Sequence, residues 1–338
     1  MQFRIKLISL SSVLAVLVLT FVLGIAFSPE ATRSAFQQRE MFPNVEQDAV
    51  NTVTITGGEE GIHVSRADEQ WAITVDENPF PAKTTAVETF IDELLSLDRF
   101  RVVSRNSETW EQFEVTEEAA THIQVFDSAD QALIDIYVGK EGNEGRGNYM
   151  RIAGSDTVYL AVGSFTYYLD RDQGYWSNLK IMPPVYTGND VTSISVTADI
   201  DLAEPLDAQY MFIRQENGWV LEGNPDFTVR ESRLNNLANT SVGIEADAFV
   251  ANTDPEITGL DNPSGSVEIT LDDNSTYAIL FGNRTDDDHF YVMREDGNYV
   301  YRMSMWKTMQ LLRPLSEYEP LESEEDTSET EETAVEIE

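Results

Sequence analysis

Few side chains in this sequence are arranged to do chemistry, and the most suggestive group is the run Asp286-Asp287-Asp288-His289. Carboxylate oxygens can hold a hard cation. The run lacks the alternating Asp-x-Asp-x-Asp-Gly ligands and the downstream glutamate of an EF-hand, and adjacent side chains in an extended loop diverge. The expectation is a solvated hairpin turn and no metal, with Asp286, Asp287, Asp288 and His289 as the weak candidate. The other two histidines, His63 and His122, fall in separate predicted strands outside any H-E-x-x-H spacing. There is no Gly-x-Ser-x-Gly elbow and no Walker A loop. The glycine-rich run Gly139 to Gly147 carries a lone lysine but leads into a strand, whereas phosphate cradling needs a helix N-terminus. Trp71 and Trp219 could stack on sugar rings if exposed, but as matched strand positions they read as core anchors. The chain has no cysteine, which removes disulfides and thiolate chemistry together. No catalytic residue and no cofactor is expected, and the protein reads as not an enzyme.

The elements that would position these residues follow from the apolar periodicity. Val50 to Thr56, Gly61 to Arg66 and Gln70 to Val75 alternate apolar and polar residues between turns, which predicts three strands of a meander. Val87, Phe90, Ile91, Leu94, Leu95 and Leu97 then recur at spacings of three and four, predicting an amphipathic helix over Thr84 to Leu97 capped by Thr84 or Thr85. Strand signals return at Phe100 to Ser104, His122 to Asp127, Ala132 to Gly139, Asn148 to Ala153 and Thr157 to Val162. A helical turn at Phe165 to Leu169 closes this set, and Lys180 to Asn189, with its two prolines, reads as a linker.

After that stretch the same order begins again. VTSISVT at Val191 repeats VNTVTIT at Val50, and the strand around Trp219 repeats that around Trp71. Each is followed by a proline turn and a helical segment, the second over Arg230 to Asn239. Gly139 and Met150-Arg151 share their spacing with Gly282 and Met293-Arg294, and Val158-Tyr159 is answered by Val300-Tyr301. The predicted fold class is α+β: an N-terminal transmembrane helix, then two similar tandem domains, each a mostly antiparallel sheet with one packed amphipathic helix. The expected segments are a cytoplasmic N-terminus at 1–6, an anchor at 7–27, a stalk at 28–47, repeats at 48–180 and 190–314 joined by a linker at 181–189, and an acidic tail from 315 to 338. From Ser316 onward that tail holds 11 acids and no basic residue, too polar to fold alone.

Leu7 to Phe27 holds no charge and no proline, and its 21 residues would reach about 32 Å as a helix, enough for a hydrocarbon core of about 30 Å. Arg4 and Lys6 before it favour a cytoplasmic N-terminus, which puts the bulk of the chain outside the cytoplasm. A cleaved signal peptide also has a basic start and an apolar centre. The length of the run, and Pro29 directly after Ala26-Phe27-Ser28, favour a retained anchor. The net charge of −38, from 60 acids against 22 basic residues, argues against nucleic acid and anionic lipid as partners. A self-repelling, solvated surface is the plainer reading of that charge, ahead of specific cation binding.

The tryptophan strands, the Phe80-Pro81-Ala82 turn, the segment Gly259-Leu260-Asp261-Asn262-Pro263 before Ser266 to Leu271, and the strand-end Gly139 and Gly282 together resemble the domain-of-unknown-function 4340 family of bacterial membrane-anchored proteins. The first repeat departs from that pattern, with Phe113-Glu114-Val115 in place of Gly-Leu-x-x-Pro. The resemblance implies an auxiliary component of an ABC-type or gliding-type transport system, with integral-membrane proteins as partners, and it carries no catalytic residues across. The expected function is a membrane-anchored extracytoplasmic binding or scaffolding protein. The alternative is an envelope protein that recognises a cation or a polysaccharide in an interdomain cleft, and an envelope hydrolase would need two carboxylates facing each other in a pocket.

Overall fold

A computed structural model of the chain describes residues 41–42, 44–57, 61–67, 70–97, 100–142, 147–161, 166–200 and 205–320. Period-two alternation becomes nine antiparallel strands in the first half. They are β1 (Thr52–Thr56), β2 (Ile62–Ala67), β3 (Gln70–Val75), β4 (Asn78–Pro81), β5 (Phe100–Ser104), β6 (Thr121–Phe126), β7 (Ala132–Glu141), β8 (Asn148–Ile152) and β9 (Val158–Ala161), in the order β4-β3-β2-β1-β6-β7-β8-β9-β5. Their alternate residues Val53, Ile55, Val64, Ile73, Ile123, Val125, Ile134 and Ile136 are buried. Helix α1 (Thr84–Leu95) buries Ala86, Val87, Phe90, Ile91 and Leu94, the stripe expected of a helix with one apolar face. Phe90 meets Tyr168 and Trp176 edge-on, each with ring centroids 5.3 Å apart. Among the described residues this half also holds the short α-helices α2 (Trp110–Phe113), α3 (Thr166–Leu169) and α4 (Gln173–Trp176).

The second half repeats this plan with one strand fewer. Its eight strands are β10 (Val191–Ile200), β11 (Leu206–Gln215), β12 (Gly218–Leu221), β13 (Ala248–Val250), β14 (Gly265–Leu271), β15 (Thr276–Arg284), β16 (His289–Arg294) and β17 (Val300–Ser304), in the order β12-β11-β10-β14-β15-β16-β17-β13. That is the first order without its outermost strand β4. Helix α5 (Glu231–Gly243) takes the place of α1 and buries Leu234, Leu237, Ala238, Ser241 and Val242. Short helix α6 (Pro255–Thr258) answers α2, and α7 (Met305–Leu311) follows β17 as α3 follows β9. Among the described residues, those up to Ile73 form one unit with Ala82–Trp176, and Thr74–Pro81 group with those from Ser177 to 320.

Several sequence expectations need correction. Each domain has short helices besides its one long amphipathic helix. Helix α1 has Lys83 at its N-cap, in extended conformation and without a side-chain cap, so neither Thr84 nor Thr85 caps it. The stretch read as a linker, 181–189, begins with Ile181 and Met182, both buried. The region expected to lack structure from 315 onward instead opens with a 3-10 turn, Leu315–Tyr318, that buries Tyr318. The end of the expected stalk is also tied in, because the Met41 N–H donates to Leu97 O at 3.0 Å. Among the described residues no helix is long and apolar enough to cross a membrane, and Leu7 to Phe27 lies outside them.

Candidate functional site

The Asp286-to-His289 run is the turn between β15 and β16, with Asp288 in the left-handed region at φ 62°. Two of its three carboxylates, those of Asp287 and Asp288, are engaged by the fold's own donors. Arg284 pairs with Asp288, Arg302 Nη2 lies 3.1 Å from Asp287 Oδ2, and Thr285 Oγ1 donates to Asp287 Oδ1 at 2.6 Å. The Thr285 hydrogen bond is the main reason the Asp287 carboxyl sits below its ordinary pKa, with Arg302 and His289 adding to it against a smaller burial effect. His289 Nδ1 is 2.9 Å from the Asp287 carbonyl oxygen. Among the described residues no three His, Asp or Glu side chains converge to hold a metal ion.

The remaining sequence candidates are spread through the two sheets. His63 shares a hydrogen bond with Thr54 Oγ1 at 3.2 Å across the β1–β2 pair. His122 Nε2 lies 2.7 Å from Asp135 Oδ1, and its ring stacks on Tyr137 at 4.3 Å. Arg151 sits 4.2 Å from the Tyr137 ring and 3.9 Å from the Trp110 ring, and its Nε donates to Val115 O at 3.0 Å. This alternation of cation and aromatic faces buries a guanidinium that is 2% exposed. Sequence reasoning missed it, although the matched Met150-Arg151 and Met293-Arg294 pairs marked the position. Trp71 and Trp219 are 3% and 4% exposed and are overlaid by Arg66 and Arg214, so neither indole offers a face to a sugar.

One ion pair ties the last helix to the second sheet. Lys307 Nζ is 2.6 Å from Asp247 Oδ1, and Asp247 Oδ2 accepts from the Ser304 N–H at 2.6 Å. Burial pushes the Asp247 carboxyl up, but the Lys307 ammonium and the Ser304 donors outweigh it, and the group ends below its ordinary pKa. A carboxyl depressed in the folded state stabilises above its unfolded pKa, near 3.9, and that contribution is lost as pH falls through the folded value. Asp247→Asn is expected to cost the second domain about 1–3 kcal/mol at pH 7. The difference from the parent chain should shrink below about pH 4. Urea unfolding at pH 7 and pH 3 measures both, and an undiminished difference at pH 3 would contradict the linkage.

A hollow of about 360 Å³ opens between α5 and α7, and no sequence signal pointed to it. Arg233 on α5 and Arg313 just after α7 line it, with Trp306 on its wall, 72% exposed. Arg233 Nη2 and Arg313 Nη1 lie 3.1 and 3.6 Å from the same oxygen, Glu317 Oε2. Two guanidinium groups thus share one carboxylate at the edge of the cavity.

The architecture defines a class: tandem α+β domains of one topology, each an antiparallel sheet carrying one long helix. Comparison with known families is more particular. The chain matches the family described as "Domain of unknown function (DUF4340)" over residues 71–263 and 219–313, and it belongs to that family. A relative described as "Uncharacterized protein" from Treponema pallidum (strain Nichols) is 23% identical over 132 residues, a stretch covering 39% of this chain and 42% of the relative. No solved structure matches the chain.

Proposed function

We propose that the protein is a non-enzymatic, single-pass membrane protein whose two sheet domains lie outside the cytoplasm and bind or scaffold an ABC-type transport complex. The observation that carries this reading is how the reactive side chains are used. His122, Arg151, Asp247, Asp287 and Lys307 are each engaged by neighbours of their own domain, and they are spread over two domains of one topology. Catalysis needs a nucleophile, a base and a charge stabiliser around one reacting atom. A duplicated sheet offers instead two related surfaces for a partner. The uncharged run Leu7 to Phe27, with Arg4 and Lys6 before it, supports the tether and its orientation.

Fractionation tests the tether. The full chain is expected in the membrane pellet, resistant to high salt, and deletion of residues 7–27 should release it. A full-length chain that is already soluble would overturn the anchored reading. Site-specific photocrosslinking from exposed positions in intact cells is expected to trap an integral-membrane transporter subunit, and crosslinks confined to soluble enzymes would count against the scaffold role.

A further inference from the structure

We propose that the hollow between α5 and α7 is a binding site for an acidic sugar, a pyranose ring that carries a carboxylate. The inference goes beyond the scaffold reading and can fail without it. Its first support is Glu317: the geometry that two arginines give to that carboxylate is the geometry they would give to a ligand's. Guanidinium groups match carboxylates in shape and bind them with charge-assisted hydrogen bonds. The Glu317 side chain is 42% exposed and the Arg233 side chain 34% exposed, so the pair lies where an incoming anion can exchange with it.

The second support is charge contrast. The chain carries 60 acids and 22 basic residues, yet two of its arginines converge on this one hollow. A surface selected only to be acidic has no reason to gather them. The third is Trp306, which stands in the wall with 72% of its surface open, unlike the buried Trp71, Trp176 and Trp219. A flat exposed indole beside polar side chains suits the apolar face of a sugar ring, and the amides of Asn236 and Gln310 and the hydroxyl of Thr240 offer hydrogen bonds to the ring's hydroxyls. The cavity volume of about 360 Å³ is of the size that takes a small ligand.

Calorimetric titration of the full chain with galacturonate tests this, with galactose lacking the carboxylate and acetate lacking the ring. Salt at about 0.15 M screens the long-range repulsion between an anion and the acidic surface. Galacturonate is expected to bind at least about tenfold more tightly than either control, one charge-assisted contact being enough for such a factor. Arg313→Gln should weaken it about tenfold, and Trp306→Ala about fivefold or more. Glu317→Gln removes the internal competitor and should tighten it up to about fivefold, the worth of an exposed ion pair. Trp306 and Glu317 are exposed, so those two variants keep the test independent of folding. The proposal is overturned if galacturonate does not bind, if acetate binds as well, or if Arg313→Gln and Trp306→Ala leave the affinity unchanged. Tighter binding of hexaglutamate than of galacturonate would also overturn it, in favour of an acidic peptide partner.

Discussion

Gly282→Ala is expected to cost the second domain more than about 3 kcal/mol, at or beyond the usual limit for inserting one methyl group into a packed site. A Cβ built at Gly282 would lie 2.0 Å from the carbonyl oxygen of Thr258 and 3.1 Å from Leu260 Cγ. The first is far inside van der Waals contact, and the atom it meets is backbone. That carbonyl cannot easily retreat. It belongs to α6, where the Asp254 carboxylate accepts from the Glu256 N–H at 3.0 Å and Asn283 Nδ2 donates to Ile257 O at 2.9 Å. Gly139 stands in the same relation to α2, its Cβ position 2.2 Å from Phe113 O and 2.7 Å from Glu114 O. Both glycines are needed for close approach of a short helix to a strand, so Gly139→Ala should strike the first domain equally hard. Gly243→Ala is the control, since nothing lies within 4 Å of its Cβ position. Urea unfolding followed domain by domain measures the effect, and a Gly282→Ala midpoint equal to that of the parent chain would refute the packing argument.

Those two glycines also mark what was legible in the sequence. Their matched spacing, with the paired tryptophan strands and the Met-Arg pairs, announced a duplication that the two strand orders reproduce. The departure at Phe113-Glu114-Val115 looked like a lost motif. Glu114 nevertheless has φ 58°, matching the φ 67° of Gly259 at the equivalent position of the second repeat, so the left-handed turn persists where the glycine does not. A non-glycine residue there costs about 1–2 kcal/mol, which surrounding contacts can impose without any trace in local propensity. Short edge strands such as β4 and β13 went unread for a related reason: three or four residues carry too little periodicity to register. The hollow was illegible because Arg233, Trp306 and Arg313 are brought together by the packing of α5 against α7, and no spacing rule spans that distance in the chain.

Tyr318→Ala is the second substitution expected to act strongly, at about 3–5 kcal/mol, the cost of emptying a buried aromatic site. Composition placed this residue in a stretch too acidic to fold, yet it is 1% exposed. Its ring centroid lies 5.7 Å from that of Tyr210 and 5.4 Å from that of Phe212, and its carbonyl accepts the Arg230 N–H at 2.8 Å. One large side chain buried against a sheet outweighs several charged neighbours that stay in water, because the charges pay no desolvation and the ring gains its full transfer energy. Tyr318→Phe keeps the ring and should cost less than about 1.5 kcal/mol, and Glu319→Ala, at an exposed position, less than about 0.5 kcal/mol. Thermal unfolding of the three variants ranks them, and a Tyr318→Ala transition indistinguishable from that of Glu319→Ala would show that the aromatic contact contributes nothing. Tyr318 also lines the hollow between α5 and α7, so its ring forms part of the cavity wall. The residue that anchors the end of the second domain therefore also shapes the cavity, and Tyr318→Ala should abolish galacturonate binding under conditions where Tyr318→Phe retains it.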